Sequence, residues 1–195
     1  MPPTFFFGAM SPYSWISAER IDPLIPTAEW RAVFLGGIFK ANGRTSWGRG
    51  EGRAAGMAEC EARASAYGLG AIRWPDPWPT NDLGVARAMV LAQARGVLKP
   101  FARAAMRLAF REGADLGEAA TVLEAGRRTG IDADDLRAAL DDPGVKNALR
   151  VATDEALGRG IFGVPTVLVD GELFWGDDRL EAAATAAAAA RSAAA

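Results

Sequence analysis

The order of its short elements predicts an α/β fold for this chain, with a small mixed sheet and an inserted block of helices. Three observations carry that prediction. An aromatic run, Phe5-Phe6-Phe7, leads into small residues and then Ser11-Pro12, which reads as a strand, a turn and a helix start. From Asn81 to Gly158 the chain repeats one pattern of acidic or proline helix starts and glycine stops. After Gly160 the pattern becomes loop, strand, turn, strand, with Asp170-Gly171 at the turn. On this reading residues 1–56 and 159–195 form the sheet domain, and residues 57–158 are a helical insertion.

The elements follow in order. Residues 4–8 are the first strand and 12–21 the first helix, stopped near Asp22-Pro23. Residues 30–35, mostly apolar and aromatic, are a second strand, and strand–helix–strand defaults to a parallel pair. Residues 36–56 read as a long glycine-rich loop carrying Lys40, Asn42, Arg44 and Trp47, and loops of that length are often functional. Its glycines lack the Gly-Lys-Ser/Thr of a phosphate loop. Residues 57–67 look helical. Three prolines at 75, 77 and 79 then forbid regular structure, and Trp74 and Trp78 beside them need somewhere to pack.

Further helices are expected from Asn81 or Asp82 to Gly96, from Pro100 to Gly113, and from about Asp115 to Gly130. Asp132 starts a short one, and Asp142-Pro143 starts the last, which runs to Gly158. Arg95, Lys99, Arg103, Arg107 and Arg111 recur every four residues, which reads as a solvated face. Asp177 or Asp178 is placed to cap the terminal helix.

Composition narrows the function. Half of the 195 residues are apolar, about a quarter are charged and the net charge is −2, which gives no pull towards nucleic acid or an anionic membrane. No apolar run reaches the roughly 18 residues of a spanning helix. The first four residues lack a basic n-region and the phenylalanine run is too short for a signal peptide, so a cytoplasmic protein is expected. The single cysteine, Cys60, excludes an intrachain disulfide, and flanking acids favour a buried, inert thiol over a reactive one. There is no histidine, which excludes Ser-His-Asp and Cys-His catalysis, and no cluster of Cys, Asp and Glu has metal-ligand spacing. On its own, Ser11 is better explained by helix capping than by chemistry.

The order βαβ, helical block, ββα is that of a thioredoxin-like fold with an inserted all-helical subdomain. Val164-Pro165-Thr166 stands where such proteins carry a cis-proline, and Ser11-Pro12-Tyr13-Ser14 stands where a redox member has Cys-x-x-Cys. With both cysteines replaced, disulfide exchange at that place is ruled out. The chain resembles the kappa-class glutathione S-transferases and, more closely, the 2-hydroxychromene-2-carboxylate isomerases. The resemblance lies in Ser11-Pro12-Tyr13-Ser14-Trp15, Gly37-Ile38-Phe39-Lys40, Arg73-Trp74-Pro75, Val145-Lys146-Asn147, Gly160-Ile161-Phe162-Gly163-Val164-Pro165-Thr166 and the run from Asp170 to Leu180. These pieces span nearly the whole chain.

The resemblance implies a small aromatic substrate and glutathione as cofactor, bound by Ser11, Pro12, Tyr13, Lys40, Val164, Pro165, Asp177 and Asp178. Ser11 would face the glutathione sulfur, Val164 its cysteinyl backbone, and the acidic pair its γ-glutamyl end. A homodimer is expected by analogy. Because no base stands by to activate Ser11, its role would be to donate a hydrogen bond to a thiolate at the positive end of the first helix. Arg44 or Lys40 could hold a substrate carboxylate, with Trp47, Trp74 and Trp78 walling its ring and Asn81 close by. Three readings remain open at this point: a glutathione-dependent isomerase, a glutathione transferase, and a binding protein that kept the fold without catalysis.

Overall fold

The strand Thr4–Phe7 (β1) starts the fold, and its pleat divides the phenylalanine run between two faces. Phe5 and Phe7 stack on one face at 5.4 Å, each against the edge of Trp30, while Phe6 joins a separate cluster on the other. The computed structural model describes residues 1–194. After β1 come α1 (Pro12–Leu24), β2 (Glu29–Ala32), α2 (Leu35–Ala41) and α3 (Arg53–Ala66). Next are α4 (Leu83–Ala94), α5 (Leu98–Glu112), α6 (Ala119–Thr129), α7 (Ala133–Asp141) and α8 (Pro143–Gly158). The chain ends with β3 (Thr166–Val169), β4 (Glu172–Trp175) and α9 (Leu180–Ala194). Single 3-10 turns, Trp47–Arg49 and Asp177–Arg179, precede α3 and α9.

The sheet order is β2-β1-β3-β4, with β1 parallel to β2 and antiparallel to β3, and β3 antiparallel to β4. This is the mixed four-stranded sheet expected from the element order. Asp170 and Gly171 both take positive φ, 45° and 91°, which a tight hairpin between β3 and β4 requires. Expected caps also form: Ser11 accepts from the Ser14 amide, Asp132 from those of Asp134 and Asp135, and Asp142 from that of Val145.

The inserted helices share the core of the sheet. Phe101, Ala102, Ala105, Met106, Ala109 and Phe110 line one face of α5 and are fully buried. Phe110 meets Trp15 of α1 and Trp74, with ring centres 5.9 and 6.0 Å away. One contiguous core therefore runs from β1 through α1 into α5.

Four expectations change. The second strand is Glu29–Ala32 and not 30–35, because Phe34 and Leu35 turn away to start α2. The first helix continues to Leu24, with Pro23 inside its last turn. Residues 36–56 are not one loop, since α2, a 3-10 turn and the start of α3 occupy most of them. Gly36 and Gly37 disfavour a helix by about 1 kcal/mol each relative to alanine. Tertiary packing overrides this, for a Cβ on Gly37 would already lie 3.3 Å from Thr153 of α8. Finally, the basic stripe is not merely solvated. Arg103 donates to Asp22 and to the Ala18 carbonyl, Arg107 forks onto Glu19, and Lys99 reaches Asp22, so the stripe clamps α5 onto α1. Arg95 pairs with Asp135, and Arg111 donates to the Leu69 carbonyl.

Phe110→Ala should cost about 3–5 kcal/mol in chemical denaturation, because it opens a cavity where α1, α5 and Trp74 meet. Arg95→Ala, which breaks only an exposed pair, should cost no more than about 1 kcal/mol. Equal losses would contradict a core shared between sheet and insertion.

Candidate functional site

The end of β1, the start of α1, the loop before β3 and the turn before α9 converge, and the sheet topology brings them together. Ser11 is the N-cap of α1, with Pro12 at the first helical position. Its Oγ accepts from the Ser14 amide at 3.2 Å, and its backbone amide donates to the Gly8 carbonyl. Accepting leaves the hydroxyl proton of Ser11 without an acceptor among the described residues. Ser11 is 6% exposed.

The peptide bond before Pro165 is cis, as are those before Pro77 and Pro79. The Val164 amide and carbonyl have no backbone partner among the described residues. The Pro165 carbonyl accepts from the Gly176 amide, tying this loop to the turn that carries the acidic pair. Gly163 lets the loop approach Trp175, since a Cβ there would lie 2.6 Å from the indole nitrogen.

A cleft of about 480 Å³ opens at this convergence. Tyr13, Arg44, Trp47, Val164, Pro165, Asp177 and Asp178 all line it. So do Glu59, Arg63, Trp175 and Arg179, which sequence reasoning did not single out. Three carboxylates and three guanidinium groups make its wall charge-balanced. Arg44 reaches the Phe162 carbonyl at 3.4 Å and lies over the ring of Trp175.

The acidic pair divides its work. Asp177 and Asp178 form the 3-10 turn before α9 rather than a side-chain cap. Asp177 is buried, and its Oδ1 accepts from Arg63 at 2.8 Å while Oδ2 has no partner. Burial raises the Asp177 pKa against the pull of Arg63. Asp178 is half exposed, 3.6 Å from Arg63, and is the more accessible of the two aspartates that line the cleft.

Cys60 is 46 residues or more from Ser11-Pro12-Tyr13-Ser14 in the chain. It nonetheless packs beneath it, because α3 lies against α1. The thiol is fully buried, and burial pushes its pKa up to about 12, against a hydrogen bond to Tyr13 and with further upward help from Glu59 and Asp177. It is an inert thiol, as the flanking acids suggested. Burial, then Cys60 and Glu59, also raise the Tyr13 pKa, so its phenol keeps its proton and bonds Glu59 at 3.3 Å.

Other predicted site residues lie elsewhere. Trp78 is core, 4% exposed, with its ring 4.7 Å from Trp74 and 5.0 Å from Trp47. It buttresses Trp47 and does not wall the cleft. Lys40, on α2, lines a different cavity of about 460 Å³ with Lys146 and Arg150 of α8. Asn81 accepts from the Leu83 amide at 3.0 Å and lines a third cavity of about 290 Å³. Apolar Met10, Phe34 and Phe39 wall that third cavity, and Thr80, Arg49 and Asp82 also face it. Met10 lines this cavity and Tyr13 lines the cleft, so Ser11 stands in the chain between them. Likewise Ser46 faces the cavity and Trp47 the cleft.

The family model for DSBA-like thioredoxin domains matches residues 4–188. The chain belongs to that family. A 2-hydroxychromene-2-carboxylate isomerase of Sphingobium xenophagum is 25% identical over 186 residues, covering 91% of this chain and 93% of that protein. A solved 2-hydroxychromene-2-carboxylate isomerase superposes with a TM-score of 0.84 at 21% identity, over 97% of this chain and 96% of the other. The oxidoreductase DsbA of Xylella fastidiosa gives 0.62 at 16% identity, over 99% and 86%. Within this family the chain has Ser11 and Ser14 where dithiol chemistry would need two cysteines, and Cys60 is too buried to replace them.

Two stability predictions follow from the site's charges. Arg63→Ala leaves the Asp177 carboxylate buried and unpaired, and should cost about 3–5 kcal/mol in urea denaturation at neutral pH. Asp82 is 8% exposed, and burial pushes its pKa from 3.8 up to about 6. A raised carboxyl leaves the fold unpenalised below the unfolded pKa and loses that advantage as pH rises through the folded one. Asp82→Asn should therefore be more stable than the parent at pH 8 by about 3 kcal/mol. The difference should shrink towards zero by pH 4, and a pH-independent difference in melting temperature would contradict it.

Proposed function

We propose that this protein is a glutathione-dependent cis–trans isomerase of 2-hydroxychromene-2-carboxylate-type aromatic compounds. The observation that carries the reading is Ser11. Its hydroxyl proton has no acceptor among the described residues, it sits at the positive end of a helix, and its neighbours in the chain, Met10 and Tyr13, line the apolar-walled cavity and the charge-balanced cleft. The likeness in sequence and in fold to isomerases of that name supports the substrate class.

The residues of the cleft fit glutathione. The unpartnered backbone at Val164 suits the added-strand pairing of a peptide. Asp178 suits its ammonium group, and Arg44 and Arg179 suit its carboxylates. A volume of about 480 Å³ is in the range of small-molecule sites. Bound glutathione would supply a thiolate that adds reversibly to the conjugated chain of the substrate, frees rotation about the former double bond and leaves unchanged.

The protein's part is electrostatic and positional. The Ser11 hydroxyl donates towards the sulfur position, and the first amides of α1 favour negative charge there. Such groups act most strongly where water is excluded, and Ser11 is buried. Tyr13, with its proton retained, adds a neutral wall. The apolar cavity beyond Met10 is the place for the aromatic ring. This replaces the wall expected from Trp78.

Ser11→Ala should lower turnover about 10²–10³-fold, the scale of losing one donor to a developing anion, while calorimetry still shows glutathione binding. Glutathione should be recovered in full after many turnovers. Net consumption would make the protein a transferase, and a wild-type protein that binds no glutathione would sink both enzymatic readings.

A further inference from the structure

The apolar-walled cavity holds a charged group that the fold does not need. Asp82 stands where α4 begins, a position at which an aspartate ordinarily accepts from first-turn amides. Here it makes no such bond, and Asn81 accepts from the Leu83 amide instead. The Asp82 carboxylate is nonetheless buried, and the only hydrogen bond acting on its ionisation is with its own backbone. Arg49, from the 3-10 turn Trp47–Arg49, lines the same cavity. Asp115, in the loop after α5, backs it through a bond from the Thr80 hydroxyl. These are the charged groups of other elements that line or back this cavity. A buried carboxylate without a partner costs folding energy, and such groups are concentrated where a protein does chemistry.

We propose that Asp82 is the proton-transfer group for opening and closing the substrate ring, with Arg49 pairing the substrate carboxylate. The inference rests on the isomerase reading above. In the cyclic form, C2 carries a hydroxyl, a carboxylate and the ring oxygen. Asp82 takes the hydroxyl proton. The electron pair of that O–H bond becomes the second C–O bond of a ketone, the bond from C2 to the ring oxygen breaks, and its pair stays on the departing phenolic oxygen. Asp82 then returns the proton to that oxygen. The step is a proton relocation and needs no oxidant or reductant. It yields the carbonyl-conjugated alkene on which cis–trans isomerisation depends. The cavity matches this work: Met10, Phe34 and Phe39 supply apolar walls for the ring, and one carboxylate and one guanidinium supply the two polar contacts. Burial pushes the Asp82 pKa up to about 6, still below neutral pH, so the carboxylate stays mostly ionised there yet becomes basic enough to accept a proton.

The test compares wild type with Asp82→Asn, which keeps size and polarity but cannot carry a proton. Turnover of 2-hydroxychromene-2-carboxylate with glutathione is measured from pH 5 to 9, glutathione binding by calorimetry, and binding of trans-2-hydroxycinnamate by tryptophan fluorescence. Asp82→Asn should lower kcat by at least about a hundredfold, leave glutathione affinity unchanged and bind the probe about tenfold more weakly. The wild-type loss of kcat/KM below about pH 6 should be missing from its residual activity. Asp82→Asn turnover within twofold of wild type, with the same pH profile, would overturn the proposal and leave the isomerase reading standing. If the wild type does not turn over the substrate, the isomerase reading falls and the probe decides. Tenfold weaker binding to Asp82→Asn would uphold Asp82 as the hydroxyl-recognising group of another reaction, and equal or absent binding would end its role.

Discussion

The pair between Arg63 and Asp177 is the contact on which the shape of the site depends. Arg63 belongs to a helix of the insertion, and Asp177 to the turn between the last strand and the last helix. The bond fastens α3 across the cleft at 2.8 Å, with Asp178 a second and longer partner of the same guanidinium at 3.6 Å. With it, Asp177 is drawn into the interior, Asp178 stays half exposed on the cleft wall beside Tyr13, and Cys60 is sealed beneath. The Asp177 pKa is raised even so, which shows that desolvation outweighs the guanidinium. A pair that barely compensates its own burial contributes little net stability. What it adds is position: it sets which of two adjacent acids is buried and which stays accessible on the cleft wall.

The same economy of placement extends through α1. One face of that helix packs into the core with Trp15 and Ile16, and the other carries Glu19 and Asp22 to the basic ladder of α5. Its N-terminus is capped by Ser11, and its middle is held by Arg103 on the Ala18 carbonyl. A helix clamped along its length presents its first amides and the Ser11 hydroxyl in one fixed direction. Pre-orientation of this kind is what electrostatic stabilisation of an anion requires, because dipoles that must turn to meet the charge lose most of their effect.

Much of the fold was legible in the sequence because its signals are local. Ser11, Asp132 and Asp142 act as caps within three residues, and Asp170-Gly171 makes its turn within two. The element order then fixes a mixed sheet. What could not be read depends on distance. α2 is one short helix with two glycines in its first turn, and it packs on α8 closely enough that a Cβ on Gly37 would lie 3.3 Å from Thr153. The partners of Arg63 and Arg103 are 114 and 81 residues away, so periodicity alone cannot tell a clamp from a solvated stripe. Trp78 and Trp47 look alike in sequence, yet one is buttress and the other wall. The site follows the same rule. Ser11, Val164 and Asp178 fall in recognisable stretches, whereas Lys40 is carried off on α2 to face Lys146.

Asp82 shows why a capping signal and a functional group can share one residue type. Asn81-Asp82 offers two side chains able to accept from the first turn of α4, and only one can do so. Asn81 takes the bond at no electrostatic cost, being neutral and exposed. That releases Asp82 from any structural duty while leaving it buried, a combination that stability alone would remove: serine or asparagine would fill the place without a desolvated charge. Asp82 lines the same cavity as Met10, which is next in the chain to Ser11, and Arg49 lines it too. An acceptor for protons on one side of Ser11 and a donor to a thiolate at Ser11 itself would divide acid–base work from nucleophile stabilisation. A chain without histidine has to make that division by burial, since no side chain it possesses titrates near neutrality unless its surroundings move it there.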